Sequence, residues 1–214
     1  MHKFDLSLMF VTDDRIQDDL VFSNILTAAL KGGASIIQLR EKQRDTLSFY
    51  QRALRTKALC ASYHIPLIIN DRLDIALAVD ADGVHIGQKD MPAGVARKLL
   101  GDNKIIGLSV SNAQQAAEAN VLEVDYIGIS PIFATGTKQD DLEPPLGLKG
   151  LRAIRDIYQN PITSIGGVHQ GNVAEVIQNG SDGVAVISAI SKADNPEQAT
   201  QQLKTIICQT GLNK

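Results

Sequence analysis

The chain lacks what would tie it to a nucleic acid, a membrane or a disulfide framework. Its 214 residues carry a net charge of −3 at pH 7, so no broad basic footprint is expected and any phosphate site must be local. No apolar run approaches the ~20 residues that span a bilayer. Residues 1–6 include Lys3 and Asp5 and precede only a short apolar run, unlike a signal peptide. The two cysteines, Cys60 and Cys208, lie far apart on helix-like segments without metal-ligand spacing. They read as two buried, reduced thiols of a cytoplasmic protein. A Gly-x-Gly-x-x-Gly turn after the first strand is missing too, which counts against a dinucleotide-binding open sheet. Neither a linker nor a low-complexity stretch interrupts the chain.

What is present is a regular alternation of short apolar runs and helical periodicities. Residues 8–11 form the first run, tipped by Thr12-Asp13, and Val21, Phe22, Ile25, Leu26, Ala29 and Leu30 follow at helical spacing. Further strand-like runs cover residues 35–39, 67–69, 83–86, 104–108, 126–129, 161–165 and 183–187. Leu47, Tyr50, Leu54 and Ala58 mark the second helix, and Asn112 with Gln115 reads as a capping box. Most strands are apolar on both faces, the pattern of a parallel sheet covered by helices. Eight such units predict an α/β protein, a closed (β/α)8 TIM barrel forming a single domain over residues 1–214. The echo of Ala81-Asp82-Gly83-Val84 in Ser181-Asp182-Gly183-Val184 supports a repeated unit.

In such a barrel the active site lies where the carboxyl ends of the strands meet their loops. Those ends collect polar residues: Gln38, Arg40 and Lys42 after the second strand, Asn70 and Asp71 after the third, Gln88 and Asp90 after the fourth. Ser109 ends the fifth, Thr135, Thr137 and Lys138 follow the sixth, Gly166-Gly167 the seventh and Ser188 the eighth. Taken singly, Arg40-Glu41 suits a surface ion pair and Asp71-Arg72 a turn with a local salt bridge. Taken together, they are too many for one end of a barrel by chance.

Asp71 and Asp90 suggest Mg²⁺, which takes one or two carboxylates and fills its shell from substrate phosphates. Arg40, Lys42 and Lys138 would share the phosphate charge. The loops after strands seven and eight are the recurring phosphate position of this fold. Two anionic subsites result, one suited to a diphosphate and one to a monophosphate. No nucleophile and base come together: Cys60 and Cys208 are on helices, His85 reads as a pore residue bonded to a neighbour, and His169 as a bystander. Chemistry that neutralises a leaving diphosphate fits better than hydrolysis or acyl transfer.

Gln38-Leu39-Arg40-Glu41-Lys42, Asn70-Asp71-Arg72, Gly83 to Gln88 with Asp90, and Thr135-Gly136-Thr137-Lys138 together resemble the thiamine phosphate synthase family. Ile165-Gly166-Gly167 and the segment 183–190 agree, though many phosphate-binding barrels share them. The resemblance implies joining 4-amino-2-methyl-5-hydroxymethylpyrimidine diphosphate to 4-methyl-5-hydroxyethylthiazole phosphate, by a dissociative route with a pyrimidine-stabilised carbocation. It implies that Gln38, Leu39, Arg40, Glu41, Lys42, Asn70, Ser109 and Lys138 bind the pyrimidine diphosphate. It implies that Thr135, Gly136, Thr137, Gly167, Ile187 and Ser188 bind the thiazole phosphate, and that Asp71 and Asp90 hold Mg²⁺. Arg40, Lys42 and Lys138 are then the catalytic charges. Ser130 stands before Pro131 where many relatives have Gly, and residues 139–145 read as a lid.

Two rivals remain. A thiazole tautomerase on this fold would lack the Asn70-Asp71 pair and place a His just past strand five, where this chain has Ser109-Val110-Ser111. A non-catalytic barrel that binds thiamine precursors would have no use for paired acids with Lys138. The expected partners are small phosphorylated molecules, with neither nucleic acid nor membrane; a homo-oligomer is left open.

Overall fold

Each apolar run pairs in parallel with the next, and the last returns to the first. The structure, a computed structural model, describes residues 4–136 and 144–211. The strands are β1 (Leu8–Val11), β2 (Ile36–Leu39), β3 (Leu67–Asn70), β4 (Gly83–Ile86), β5 (Ile105–Val110), β6 (Tyr126–Ile129), β7 (Ile162–Ser164) and β8 (Gly183–Val186). The helices between them are α1 (Asp19–Lys31), α2 (Thr46–Ser62), α3 (Leu73–Ala78), α4 (Ala93–Leu100), α5 (Ala113–Ala119), α6 (Gly147–Ile157) and α7 (Val173–Gln178). A short α8 (Ser188–Ser191) and the long α9 (Pro196–Gly211) follow β8. The strands close as β1-β2-β3-β4-β5-β6-β7-β8, the expected (β/α)8 barrel.

Because side chains alternate across a strand, every strand splits its residues between the pore and the helical layer. Ile37, Leu39, Ile69, Val84, Ile106 and Ile127 join the large outer core against the helices. Met9, Ile36, Ile68, Ile105, Tyr126 and Ala185 build a separate inner cluster. The register lines up inner residues across neighbouring strands, as in Gln38↔Ile68, Asn70↔His85, His85↔Gly107 and Ser109↔Gly128. The pore is therefore apolar toward its amino end and polar at its mouth.

The faint sequence repeat has a physical meaning at the amino end of the barrel. The residue just before each even strand pins an N–H at the start of the strand preceding it. Asp82 accepts from Leu67 N at 2.8 Å, Asp125 from Ile106 N at 2.8 Å and Asp182 from Ile162 N at 2.8 Å. Each carboxylate also pairs with a cation of the helix that leads into that odd strand: Lys57 of α2, Arg97 of α4 and Arg155 of α6 respectively. Ser35 does the same for Leu8 N at 2.9 Å with its hydroxyl. The residue after the pin is Gly83 or Gly183 in two units, but Tyr126 in the third.

Some expectations need correction. On α2, Leu47 and Leu54 are exposed, and the buried face is Phe49, Arg52, Ala53, Thr56 and Cys60. The apolar pattern misled because the largest buried side chain of that face is an arginine held by carboxylates and carbonyls. Cys60 is buried, and its thiol is pushed up to about 12, chiefly by desolvation, whereas Cys208 is exposed. Cys208 lies on the solvent side of α9, opposite Leu203 and Ile207. The cap of α5 is half of the expected box: Asn112 accepts from Gln115 N at 2.9 Å, but Gln115 reaches back to Ser111 N. Among the described residues no helix is long and apolar enough to cross a membrane.

Removing one pin tests this account. Asp125→Ala leaves the Ile106 N–H and Arg97 without their partner, and should lower stability by about 1–3 kcal/mol. Urea unfolding should show a lower midpoint with an unchanged slope; an unchanged midpoint would remove the pin from the architecture.

Candidate active site

The segment leaving β2 carries two cations into the mouth and one carboxylate away from it. Arg40 is mostly buried, and its Nη1 lies 2.8 Å from Asp14 Oδ1 on the loop after β1. Its backbone N–H donates to Thr12 Oγ1 at 2.9 Å. Lys42 Nζ reaches across to Asp71 Oδ2 at 2.5 Å. Between them Glu41 turns into the helical layer, where Arg52 Nη1 meets its Oε1 at 2.8 Å and both side chains are almost wholly buried. Arg52 also donates to Ile16 O, Gln17 O and Asp19, and lies 4.2 Å over the Phe22 ring. Burial raises the Glu41 carboxyl above its ordinary value, against the pull of Arg52 and Arg44. A carboxylate so desolvated needs its partner. The arrangement clamps the loops after β1 and β2 together.

Two acids face each other across the ends of β3 and β4. Asp71 stands in the left-handed region with φ 62°, and it touches Asp90 through their side chains. Asp90 Oδ2 also accepts from Gly87 N at 2.7 Å. Desolvation first, and then the Asp71 charge, hold Asp90 above the usual carboxylate range, with Gly87 N–H and Lys42 working the other way. Two carboxylates that crowd one another and draw in an ammonium form an all-oxygen donor pair that suits a hard divalent cation. No third His, Cys, Asp or Glu joins them among the described residues. A cation there would take the rest of its shell from water or a ligand.

A second cleft opens on the other side of the mouth. Ser130, Thr135, Gly166, Gly167, Ile187 and Ser188 line it. Asn172 Nδ2 donates to Gly167 O at 2.9 Å and fixes the loop after β7. Gly166 and Gly167 both have positive φ, 104° and 64°. Small residues and backbone dominate its wall, which suits close approach of a phosphate group.

The structure thus brings together Gln38, Arg40, Lys42, Asn70, Asp71, Asp90 and Ser109 at one side of the mouth, and Thr135, Gly167, Ile187 and Ser188 at the other. Gly136 sits exposed at the rim. Leu39 and Glu41 do not turn inward: Leu39 belongs to the outer core and Glu41 to the Arg52 clamp. Thr137, Lys138 and residues 139–143 of the expected lid lie outside the described residues. Sequence reading missed Asp14, the resting partner of Arg40, although it directly follows the polar tip of β1. It also missed Arg52, for which a lone arginine in a helical pattern offers no signal. The surface pair Arg40-Glu41 and the turn bridge Asp71-Arg72 do not form; Arg72 pairs with Asp74 instead.

A closed barrel whose strand ends gather two polar clefts defines the chain as a (β/α)8 protein of the kind that works from its carboxyl-end loops. Residues 8–190 match the TMP-TENI family model, described as thiamine monophosphate synthase; the chain belongs to this family. It is 46% identical to the thiamine-phosphate synthase of Methanobrevibacter smithii, over 95% of this chain and 96% of the relative. It is 45% identical to that of Alkaliphilus oremlandii, over 96% and 98%. Among solved structures, the thiamine phosphate pyrophosphorylase of Pyrococcus furiosus superposes with a TM-score of 0.86 at 37% identity, covering 96% of this chain and 97% of that one.

The clamp predicts an asymmetry between single and double replacement. Arg52→Met leaves buried Glu41 with only the longer contact to Arg44, 3.3 Å, and should cost about 3–5 kcal/mol, whereas Glu41→Met with Arg52→Met should recover much of that loss. Thermal or urea unfolding of the three proteins decides it. Equal stability of the single and double variants would contradict the clamp.

Proposed function

We propose that this chain is a transferase, a thiamine phosphate synthase. It joins the methylene carbon of 4-amino-2-methyl-5-hydroxymethylpyrimidine diphosphate to the ring nitrogen of 4-methyl-5-hydroxyethylthiazole phosphate. The observation that carries this reading is the pairing of a carboxylate-and-cation cleft with a separate small-residue cleft at one barrel mouth, in a chain of this family. The C–O bond to the diphosphate breaks and its electron pair leaves with the diphosphate. The thiazole nitrogen lone pair then forms the C–N bond. No proton has to be removed from that nitrogen, so the reaction needs no general base, and none is invoked.

Asp71 and Asp90 would hold Mg²⁺, which when bound supplies neutralising charge to the diphosphate oxygens. Arg40 and Lys42 bind the same anion by exchanging their carboxylate partners, Asp14 and Asp71, for phosphate oxygens. Gln38, Asn70 and Ser109 line the pore mouth next to them and orient the pyrimidine end. Leu39 and Glu41 act through the course of the backbone rather than by side-chain contact. Thr135, Gly136, Thr137, Gly167, Ile187 and Ser188 take the thiazole phosphate. Lys138, which follows β6 in sequence, adds charge to the departing diphosphate, and residues 139–145 shield the pyrimidine carbocation from water.

The test is to mix the purified protein with both precursors and Mg²⁺ and to look for thiamine phosphate with an equal yield of diphosphate. Absence of both products under saturating conditions would overturn the assignment. Asp90→Asn should weaken Mg²⁺-dependent binding of inorganic pyrophosphate, read by calorimetry, while binding of the thiazole phosphate stays within a factor of about 2. Lys138→Ala should slow single turnover by roughly 10²–10³-fold, the scale of one lost electrostatic contact in a transition state. A Lys138→Ala rate near that of the parent protein would take this residue out of the chemistry.

A further inference from the structure

The two cations assigned to the diphosphate stand on a segment that the sheet no longer holds. The pairing of β2 with β3 ends at Leu39, and Arg40, Glu41 and Lys42 run on from it toward α2. Side chains tie this segment down. Thr12 Oγ1 accepts from Arg40 N at 2.9 Å, and Arg52 of α2 donates to Glu41 Oε1 at 2.8 Å. The alternation of β2 carries on through it: Arg40 and Lys42 turn to Asp14 and Asp71 at the mouth, and Glu41 turns into the helical layer. Glu41 is thus an outward anchor between two charges that face the mouth, and each flanking Cα lies about 3.8 Å from its own.

Arg52 commits all five of its N–H donors to this anchorage. Nε donates to Asp19, Nη1 to Glu41 Oε1 and Ile16 O, and Nη2 to Gln17 O and Asp19. One guanidinium therefore joins the segment after β2 to the loop after β1, which carries Asp14, the partner of Arg40. Arg44 adds a second tie between them, donating to Gln17 O at 2.9 Å. Arg52 itself does not face the mouth. Its side chain is 1% exposed and borders a small cleft between α1 and α2 with Phe22, Leu26 and Thr56. It can act on a ligand only through the residues that it holds. Stability alone does not account for such a pair, because apolar side chains of similar volume often serve a fold as well or better. A planar fork does fix direction as well as distance, which apolar packing does less sharply.

We propose that Arg52 and Glu41 are positioning residues, whose buried ion pair sets the place of Arg40 and Lys42 for an oxyanion at the mouth. This rests on the proposed function in that the oxyanion belongs to the diphosphate substrate. The pair is neutral as a whole. Replacing both members by apolar side chains therefore leaves the net charge of the protein, and its long-range pull on an anion, nearly as they were. What the replacement removes is the tie that holds the two mouth cations in register with the loop after β1.

The test uses the full chain, with inorganic pyrophosphate and Mg²⁺ as the probe, read by calorimetry. Glu41→Met with Arg52→Met conserves net charge and should weaken pyrophosphate binding by roughly 10- to 100-fold, the scale for removing an outer partner of a binding group. Arg52→Lys keeps both the charge and a partner for Glu41, but one compact ammonium cannot serve both segments. It should lose roughly 10-fold, and it carries the test even where the double variant does not fold. In the same proteins the thiazole phosphate should bind within a factor of about 2 of the parent, because its cleft lies on the other side of the mouth. A merely structural pair would not change the ratio of the two affinities. Parent-like pyrophosphate binding in Arg52→Lys, or parallel losses for both ligands, would therefore overturn the proposal. A parent chain that binds no pyrophosphate would overturn it together with the proposed function. Selective loss in the variants of a parent that makes no thiamine phosphate would refute the proposed reaction and leave the positioning role standing.

Discussion

One hydrogen bond, repeated around the amino end of the barrel, underlies the rest of the molecule. Ser35, Asp82, Asp125 and Asp182 each hold an N–H at the start of the neighbouring odd strand. A parallel pair has no hairpin turn to set its register, and a slip of one residue would exchange pore and helical faces along the whole strand. The pins set that register at the end away from the chemistry. Three of them also reach a lysine or arginine of the helical layer. Inner residues such as Gln38, Asn70, His85 and Ser109 are thereby delivered to one mouth. The fold can then vary its carboxyl-end loops without disturbing its closure.

At the mouth the governing constraint is charge balance. Arg40 rests on Asp14, Lys42 on Asp71, and Asp71 crowds Asp90. The carboxylates keep these cations ordered and offset their mutual repulsion. Under the proposed reaction the diphosphate would replace those carboxylates, and a divalent cation would occupy the carboxylates so released. Buried Arg52 binds Glu41 and the loop after β1, which holds the backbone that carries Arg40 and Lys42.

The barrel was legible in the sequence because its signals are local. Eight apolar runs, each with a helical period behind it, can be counted without knowing any contact, and polar residues at strand ends follow from the same count. Asn70, Asp71, Asp90 and Ser109 fall where that count puts them. Contacts between distant elements were not legible. Leu39 and Glu41 lie in the same motif as Arg40, yet strand alternation turns them outward, and only the position of Arg52 explains why a carboxylate is tolerated there. The same blindness misplaced the buried face of α2, where exposed Leu47 and Leu54 look more interior than an arginine does. His85 was expected to bond a neighbour, but its partners Tyr126 and Ser109 lie on other strands, 41 and 24 residues away.

The central claim is that one mouth carries two separate anion subsites, a metal-dependent one beside Asp71 and Asp90 and a metal-independent one beside Gly167 and Ser188. The most direct measurement is a calorimetric titration of inorganic pyrophosphate with Mg²⁺ into protein already saturated with the thiazole phosphate, compared with the same titration into free protein. The account predicts binding in both cases, lost in both when Mg²⁺ is withheld. Mutual exclusion of the two ligands, or pyrophosphate binding that ignores Mg²⁺, would contradict it.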